Sequence, residues 1–253
     1  ALAAVRAAEE MKSPVIIQLL PSALEIGENA VIRLCLAAGA SADVPVSVHL
    51  DHCSMQETIF QALEKGIISV MADGSHLSFQ DNINFTRTIV KAALKYDAGV
   101  EAELGRMSGQ EDGKLVSGED ERMTDPDDAF EFVRQTGAHA LAVCIGNVHG
   151  KYHQPPDLDF KRLARINKKL SIPLVLHGTS GLPDRMIRQA VENGVTKFNV
   201  NTEVRQTYVN SLKTLFSKEN APELVDVMKQ GIKAMKVPIK EKIQLFGSQN
   251  KAV

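Results

Sequence analysis

The sequence predicts an α/β protein, a (β/α)8 TIM barrel lacking its first strand in this chain. Three observations lead there. Short apolar runs alternate with longer amphipathic stretches from end to end, the pattern of strand-helix units around a parallel sheet. Several of the runs are apolar throughout, which suits strands covered on both faces. Polar and ionisable residues gather where those runs stop, and in a parallel barrel those ends share the face that carries the site.

The opening ALAAVRAAEEMKSP is an alanine-rich amphipathic stretch, and the first strand candidate is VIIQL at 15–19. VSVHL (46–50), ISVMA (68–72), VEAEL (100–104), ALAVCI (140–145), LVLH (174–177) and KFNV (197–200) complete a set of seven. The helical stretches between them carry start and stop signals. In TDPDDAFEFV, Asp125 or Thr124 can cap and Pro126 fits the first turn. In LPDRMIRQAVENG, Pro183 stands near the start and Gly194 past the end. With the opening and C-terminal stretches the count is eight helices against seven strands. A barrel of about 250 residues begins with a strand, so the chain is expected to start inside the first unit, as a piece of a longer polypeptide. An open doubly wound sheet would place a Gly-rich phosphate turn after its first strand, and QLLPSALEIG holds none.

Composition narrows the partners. The 29 Lys and Arg nearly balance the 31 Asp and Glu, so no overall charge draws the chain to nucleic acid or an anionic membrane, while a local phosphate site stays open. Cys35, Cys53 and Cys144 lack paired metal spacing, which fits a reducing, cytoplasmic setting. No apolar run reaches the roughly 18 residues of a membrane span. The longest irregular region, 105–125, has four glycines and many charges and reads as a mobile flap. Near the C-terminus, Leu224, Val227, Met228 and Met235 share one helical face, expected to pack on the barrel or on a partner.

VHLDHC at 48–53 ends a β-branched run in an acid, an imidazole and a thiol, groups costly to bury unless the strand closes at a site. Asp73 to His76 follow the next run, Glu101 and Glu103 sit in the fourth, His149 follows the fifth, His177 ends the sixth, and Asn199 to Thr202 continue the seventh. One histidine at a strand end is ordinarily a hydrogen-bonded structural residue. Three of them, His52, His149 and His177, have no local spacing motif, yet the topology brings all three to one rim, and three imidazoles with one open position make a catalytic zinc site. His49 and His139, in or beside apolar runs, read as structural; His153 reads as loop surface and His76 as a neighbour of the ligands. Asp51 alone would read as a helix cap, but beside a metal it becomes a proton-transfer group. Asp73 and Glu103 suit a second cation or the orientation of ligands. By default Glu111 and Asp112 in the flap are solvated charges. Cys53 divides evenly between packing and function. HGTSG and NVNT supply backbone N–H groups, hydroxyls and amides after the last two strands, where this fold commonly holds phosphate.

VHLDHC, VMADGSH, VEAELGRMSGQEDG, TDP, LAVCIGNVHGKY, PLVLHGTSGLPD and GVTKFNVNTEVR, in this order, resemble the class II, metal-dependent fructose-bisphosphate and tagatose-bisphosphate aldolases. The resemblance runs from about residue 44 to 205, within a single domain spanning 1–253; residues 1–43 match loosely as a first helix and second strand, and 206–253 as closing helices. It implies His52, His149 and His177 as ligands of a catalytic Zn2+, and Asp51 as the acid/base at the aldehyde oxygen. Asp73 and Glu103 become ligands of a second divalent or monovalent cation. Gly150, Gly178, Thr179, Ser180, Asn199, Val200, Asn201 and Thr202 become the cradle for dihydroxyacetone phosphate, and Glu111 the flap group that moves the C1 proton. The implied activity is reversible aldol cleavage of a ketose 1,6-bisphosphate to dihydroxyacetone phosphate and glyceraldehyde 3-phosphate through a metal-stabilised enediolate. The implied assembly is a homo-oligomer, a dimer or tetramer. Two other readings compete: a Schiff-base aldolase using Lys197, the only lysine inside a late strand, and an aldolase-like binding or assembly module of a larger multidomain protein.

Overall fold

The computed structural model describes residues 1–111, 114–117, 121–150, 152, 154–218 and 222–252. In chain order the elements are α1 (Leu2–Met11), β1 (Val15–Leu19), α2 (Pro21–Ala40), β2 (Val46–Cys53), α3 (Gln56–Glu64), β3 (Ser69–Ala72) and α4 (Phe79–Ala93). Then come β4 (Gly99–Leu104), the short pair β5 (Gly109–Glu111) and β6 (Lys114–Val116), α5 (Pro126–Thr136), β7 (Ala140–Val143) and α6 (Phe160–Lys169). The chain closes with β8 (Leu174–Leu176), α7 (Asp184–Glu192), β9 (Val195–Phe198), α8 (Thr202–Lys218) and α9 (Leu224–Phe246).

Seven strands form one sheet in the order β1-β2-β3-β4-β7-β8-β9, and every neighbouring pair is parallel. Side chains alternate between its faces. Ile17, Leu19, Val48, Leu50, Val70 and Val100 turn outward into one core under the helices, and Ala102, Leu141, Val143, Leu174 and Leu176 into a second. Inward-facing Met71, Ala142 and Val175 make a smaller apolar layer inside the curl. The sheet curls far enough for Asn199, just past β9, to hydrogen-bond Asp51 in β2, although β2 stands second and β9 last in the order. This is a TIM-barrel-like α/β fold with seven strands, the number expected.

Between β1 and β9, each paired on one side among the described residues, the curl stays open. Ile16 of β1, in register with inward-facing Ser47, is 41% exposed there. A cavity of about 1130 Å³ runs from this slot into the strand ends, bordered also by α9 through Ile243 and Phe246. Phe198 and Phe246 stack with ring centroids 4.5 Å apart, which seats the end of α9 on β9.

Three expectations need adjusting. The region 105–125 is not wholly irregular, because β5 and β6 pair antiparallel within it. Nine helices rather than eight occur among the described residues, with α8 and α9 packed against each other in the C-terminal region. On α9, Leu224 and Met228 are exposed rather than covered by the barrel, and the residues buried are Gly231, Pro238 and Ile243. The α5 start is as expected: the Asp125 carboxylate accepts from the backbone N–H groups of Asp127 and Asp128, with Pro126 in the first turn. No helix among the described residues is long and apolar enough to cross a membrane.

Candidate metal centre and active site

Asp51 and His52 lie within β2 and not beyond it, and α3 starts at Gln56 with Met55 at its cap, so Asp51 caps nothing. Strict alternation would send His52 to the helix side of the sheet. A register shift between Leu50 and Cys53 prevents that, with His52 at φ +46°. A bulge of this kind re-aims a side chain, and the left-handed backbone costs about 1–3 kcal/mol for a residue other than glycine. The His52 amide donates to the Met71 sulfur across the bulge at 3.3 Å.

His177, at the end of β8, and His149, in the loop after β7, complete the group. One ligand atom from each of the three histidines lies within 4.8 Å of the others. His177 is held from behind: Asn147 donates from Nδ2 to its carbonyl at 3.1 Å. His149 is set by its own backbone, whose N–H donates to the Ser108 carbonyl at 2.8 Å, with Gly109 bridging it. A Cβ on Gly109 would come 2.2 Å from the His149 carbonyl oxygen, and Gly109 has φ +108°, so only glycine fits.

The hydrogen-bond partners dictate the tautomers. His52 Nδ1 lies 3.0 Å from Asp73 Oδ2, so it carries hydrogen. His177 Nε2 lies 2.9 Å from Glu101 Oε1 and also carries hydrogen. His52 Nε2 and His177 Nδ1 then face each other at 2.7 Å, close enough to require one proton between them. Burial opposes charge on His52, but Asp51, Asp73 and Glu103 outweigh it and push its pKa up to about 10. Burial and the charge on His52 bring His177 down to about 4, leaving its ring neutral with a lone pair on Nδ1.

Carboxylates surround the imidazoles. Burial pushes Asp51 up, but His52, His49 and Lys197 reverse this and hold it well below the usual carboxylate range. Asp73 is likewise lowered, burial being overcome by His52 and Ser75. Glu103 goes the other way: burial, then Asp73, raise it well above its ordinary value, and its Oε2 is buried without a hydrogen-bond partner, 3.8 Å from His52 Nδ1. His52, Asp73 and Glu103 thus form a second potential cation group.

Three residues have places here that the sequence reading did not give them. His49, read as structural, points inward with Nδ1 2.7 Å from Ser69 Oγ and Nε2 3.5 Å from Asp51 and 3.8 Å from Glu101. Glu101 bridges His177 and Lys197, and its pKa, raised by burial, is brought down to about 2 chiefly by Lys197 and His177. Lys197 lies 2.8 Å from Glu101 Oε2. Period-two spacing was the available signal, since it puts His49 with Asp51, Glu101 with Glu103 and Lys197 with Asn199 on one face of their strands. His139 is structural as read, its Nδ1 accepting from the Val100 amide at 3.0 Å, whereas His76 is exposed beyond β3.

Gly150, Gly178, Thr179, Ser180, Asn199, Val200, Asn201 and Thr202 all border the same cavity as Asp51 and the three histidines. Thr179 Oγ1 donates to the Asn199 carbonyl at 2.8 Å. Glu203, in the first turn of α8, accepts from the Gly181 amide at 3.0 Å and pairs with Lys242 at 2.9 Å. The loop after β8 is thereby tied to the N-terminus of α8, the end of a helix that favours an anion. Glu111 ends β5, but its side chain, with Asp112 and His153, lies outside the described residues.

The three cysteines are buried and form no disulfide. Burial pushes the Cys144 thiol up to about 12. The unfolded chain gives up that proton first, so the stability linked to Cys144 is present below the ordinary thiol pKa and is lost as pH rises from there toward about 12. Native protein at pH 8 is expected to resist iodoacetamide at Cys144, with labelling appearing on unfolding in guanidinium; intact-mass and peptide mapping check it.

Three imidazoles with buried carboxylates behind them, toward the carboxyl ends of parallel strands, define an α/β barrel-like protein with a group of side chains that could hold a metal ion. Residues 1–251 match the family model described as fructose-bisphosphate aldolase class-II. A crystal structure of a provisionally described fructose-1,6-bisphosphate aldolase from Coccidioides immitis superposes with a TM-score of 0.92 at 34% identity, covering 99% of this chain and 88% of that one. The YdjI aldolase of Escherichia coli K12 gives 0.85 at 35% identity, covering 100% and 88%. The fructose-bisphosphate aldolase of Campylobacter jejuni shares the fold, with a TM-score of 0.81 at 21% identity over 98% and 87%. The chain belongs to the class II fructose-bisphosphate aldolase family.

Proposed function

We propose that the protein is a zinc-dependent aldolase that reversibly cleaves a ketose 1,6-bisphosphate to dihydroxyacetone phosphate and glyceraldehyde 3-phosphate. The observation that carries this reading is the convergence of His52, His149 and His177 beside Asp51. The donor set fits zinc: three imidazole nitrogens, with Asp73 on the far nitrogen of His52 and Glu101 on that of His177. Zinc, when bound, supplies the Lewis acidity that stabilises an enediolate beside the ketone.

The chain's own groups do the rest. Asp51, held as a carboxylate, takes the proton from the C4 hydroxyl as the C3–C4 bond breaks, and returns it in the condensation direction. Asn199 Nδ2 donates to both Asp51 oxygens, at 2.9 and 3.2 Å, and keeps the carboxylate facing the cavity. Glu111 is the candidate for returning a proton to the former C3 of the ketose, which is C1 of dihydroxyacetone phosphate. The loop after β8 and the N-terminus of α8 receive the phosphate on the dihydroxyacetone half. Asp73 and Glu103 offer a second cation position. The Schiff-base reading is disfavoured because Lys197 is tied to Glu101 and Asn199, each at 2.8 Å.

The test pairs metal analysis with cleavage assays on fructose and tagatose 1,6-bisphosphates. Cleavage of at least one should disappear on thorough chelation and return with added zinc. Full activity in metal-free protein would refute the reading.

A further inference from the structure

We propose that Lys197 is a positioning residue: it sets the Asn199 amide and, through it, the carboxylate of Asp51. The inference rests on the aldolase reading above. A carboxamide can present either its oxygen or its NH2 group to a neighbour. An ammonium can only donate, so with Lys197 Nζ 2.8 Å from one end of the Asn199 amide, that end is Oδ1. The NH2 group is thereby turned to Asp51.

Lys197 is itself anchored. Its stem leaves the last strand of the sheet, and its ammonium crosses the interior to Glu101 Oε2 in β4 at 2.8 Å, with only 13% of the side chain exposed. Glu101 in turn holds His177 Nε2. One cation therefore connects the group that would move the oxygen-bound proton with the shell around the ligands. The Asn199–Asp51 contact also spans the open side of the sheet, where no strand ladder fixes β9 against β2 among the described residues. Register across that gap depends on side chains, and Lys197 supplies the preorganisation a proton-transfer group needs.

A merely structural buried ion pair would behave differently. Hydrogen exchange between solvent and dihydroxyacetone phosphate needs removal of the carbon-bound proton but not the proton transfer assigned to Asp51; cleavage needs both. In zinc-loaded Lys197→Met protein of the full chain, zinc per chain should stay at the wild-type value. Exchange should remain within about threefold, while kcat for cleavage falls about 10–100-fold, the range seen when a supporting partner is lost. Asn199→Ala should lower cleavage too, and adding Lys197→Met to it should cost less than about twofold more, since both act through one contact. Lys197→Gln carries the same comparisons if the methionine variant does not fold. Equal loss of exchange and cleavage, loss of zinc, or multiplicative effects in the double variant would overturn the role of Lys197 alone. Wild-type protein that neither exchanges nor cleaves would bring down the aldolase reading, and this inference with it.

Discussion

His177→Ala protein is expected to lose its zinc and at least about 10³-fold of its cleavage activity together. His177 is fully buried and supplies the neutral nitrogen of the triad, with its other nitrogen committed to Glu101. Its removal takes away one of three donors and leaves Glu101 Oε1 without its partner. An unsatisfied buried group of that sort costs about 1–3 kcal/mol, so a modest loss of stability should accompany the loss of metal. Elemental analysis per chain, a coupled cleavage assay and urea unfolding report the three effects separately. Wild-type zinc content with wild-type turnover would remove His177 from the ligand set.

Asp51→Asn should separate metal binding from chemistry. Zinc stoichiometry should match the wild type, because Asp51 is not one of the three imidazole donors. Cleavage should fall by about 10²–10⁴-fold, the usual contribution of a positioned proton-transfer group. The amide is nearly the same size as the carboxylate and can still accept from Asn199 Nδ2, so the defect is not one of packing. Solvent hydrogen exchange into dihydroxyacetone phosphate should persist at a level within about tenfold of the wild type, since that step leaves the oxygen-bound proton alone. If cleavage survives at half the wild-type rate, another group carries the proton.

Much of this arrangement was legible in the residues. Uniformly apolar runs such as ALAVCI and the LVL of LVLH declared strands buried on both faces, and the sheet places both. That His52, His149 and His177 stand at one rim followed from topology, because strand ends of a parallel sheet lie together; the inward turn of His52 did not. Other features were hidden for identifiable reasons. β5 and β6 are three residues each, too short for alternation to register as a pattern. The inward role of His49 was masked by its apolar neighbours, and Glu101 by its proximity to Glu103. The bulge at His52 leaves no trace in hydrophobic spacing, since a register shift depends on backbone torsions and partner strands. The slot beside β1 was expected from a strand count, but its lining by α9 arises from long-range packing.

The backward-turned peptide at His52 has a mechanical consequence. Because it swings two adjacent side chains to the same side, an electrophile's anchor and the proton carrier beside it hang from a single rigid amide plane. Whatever happens at the open side of the curl, one trans peptide keeps the α-carbons of Asp51 and His52 about 3.8 Å apart. Deleting or inserting one residue between Leu50 and Cys53 would remove the bulge and, with it, the shared inward direction of Asp51 and His52.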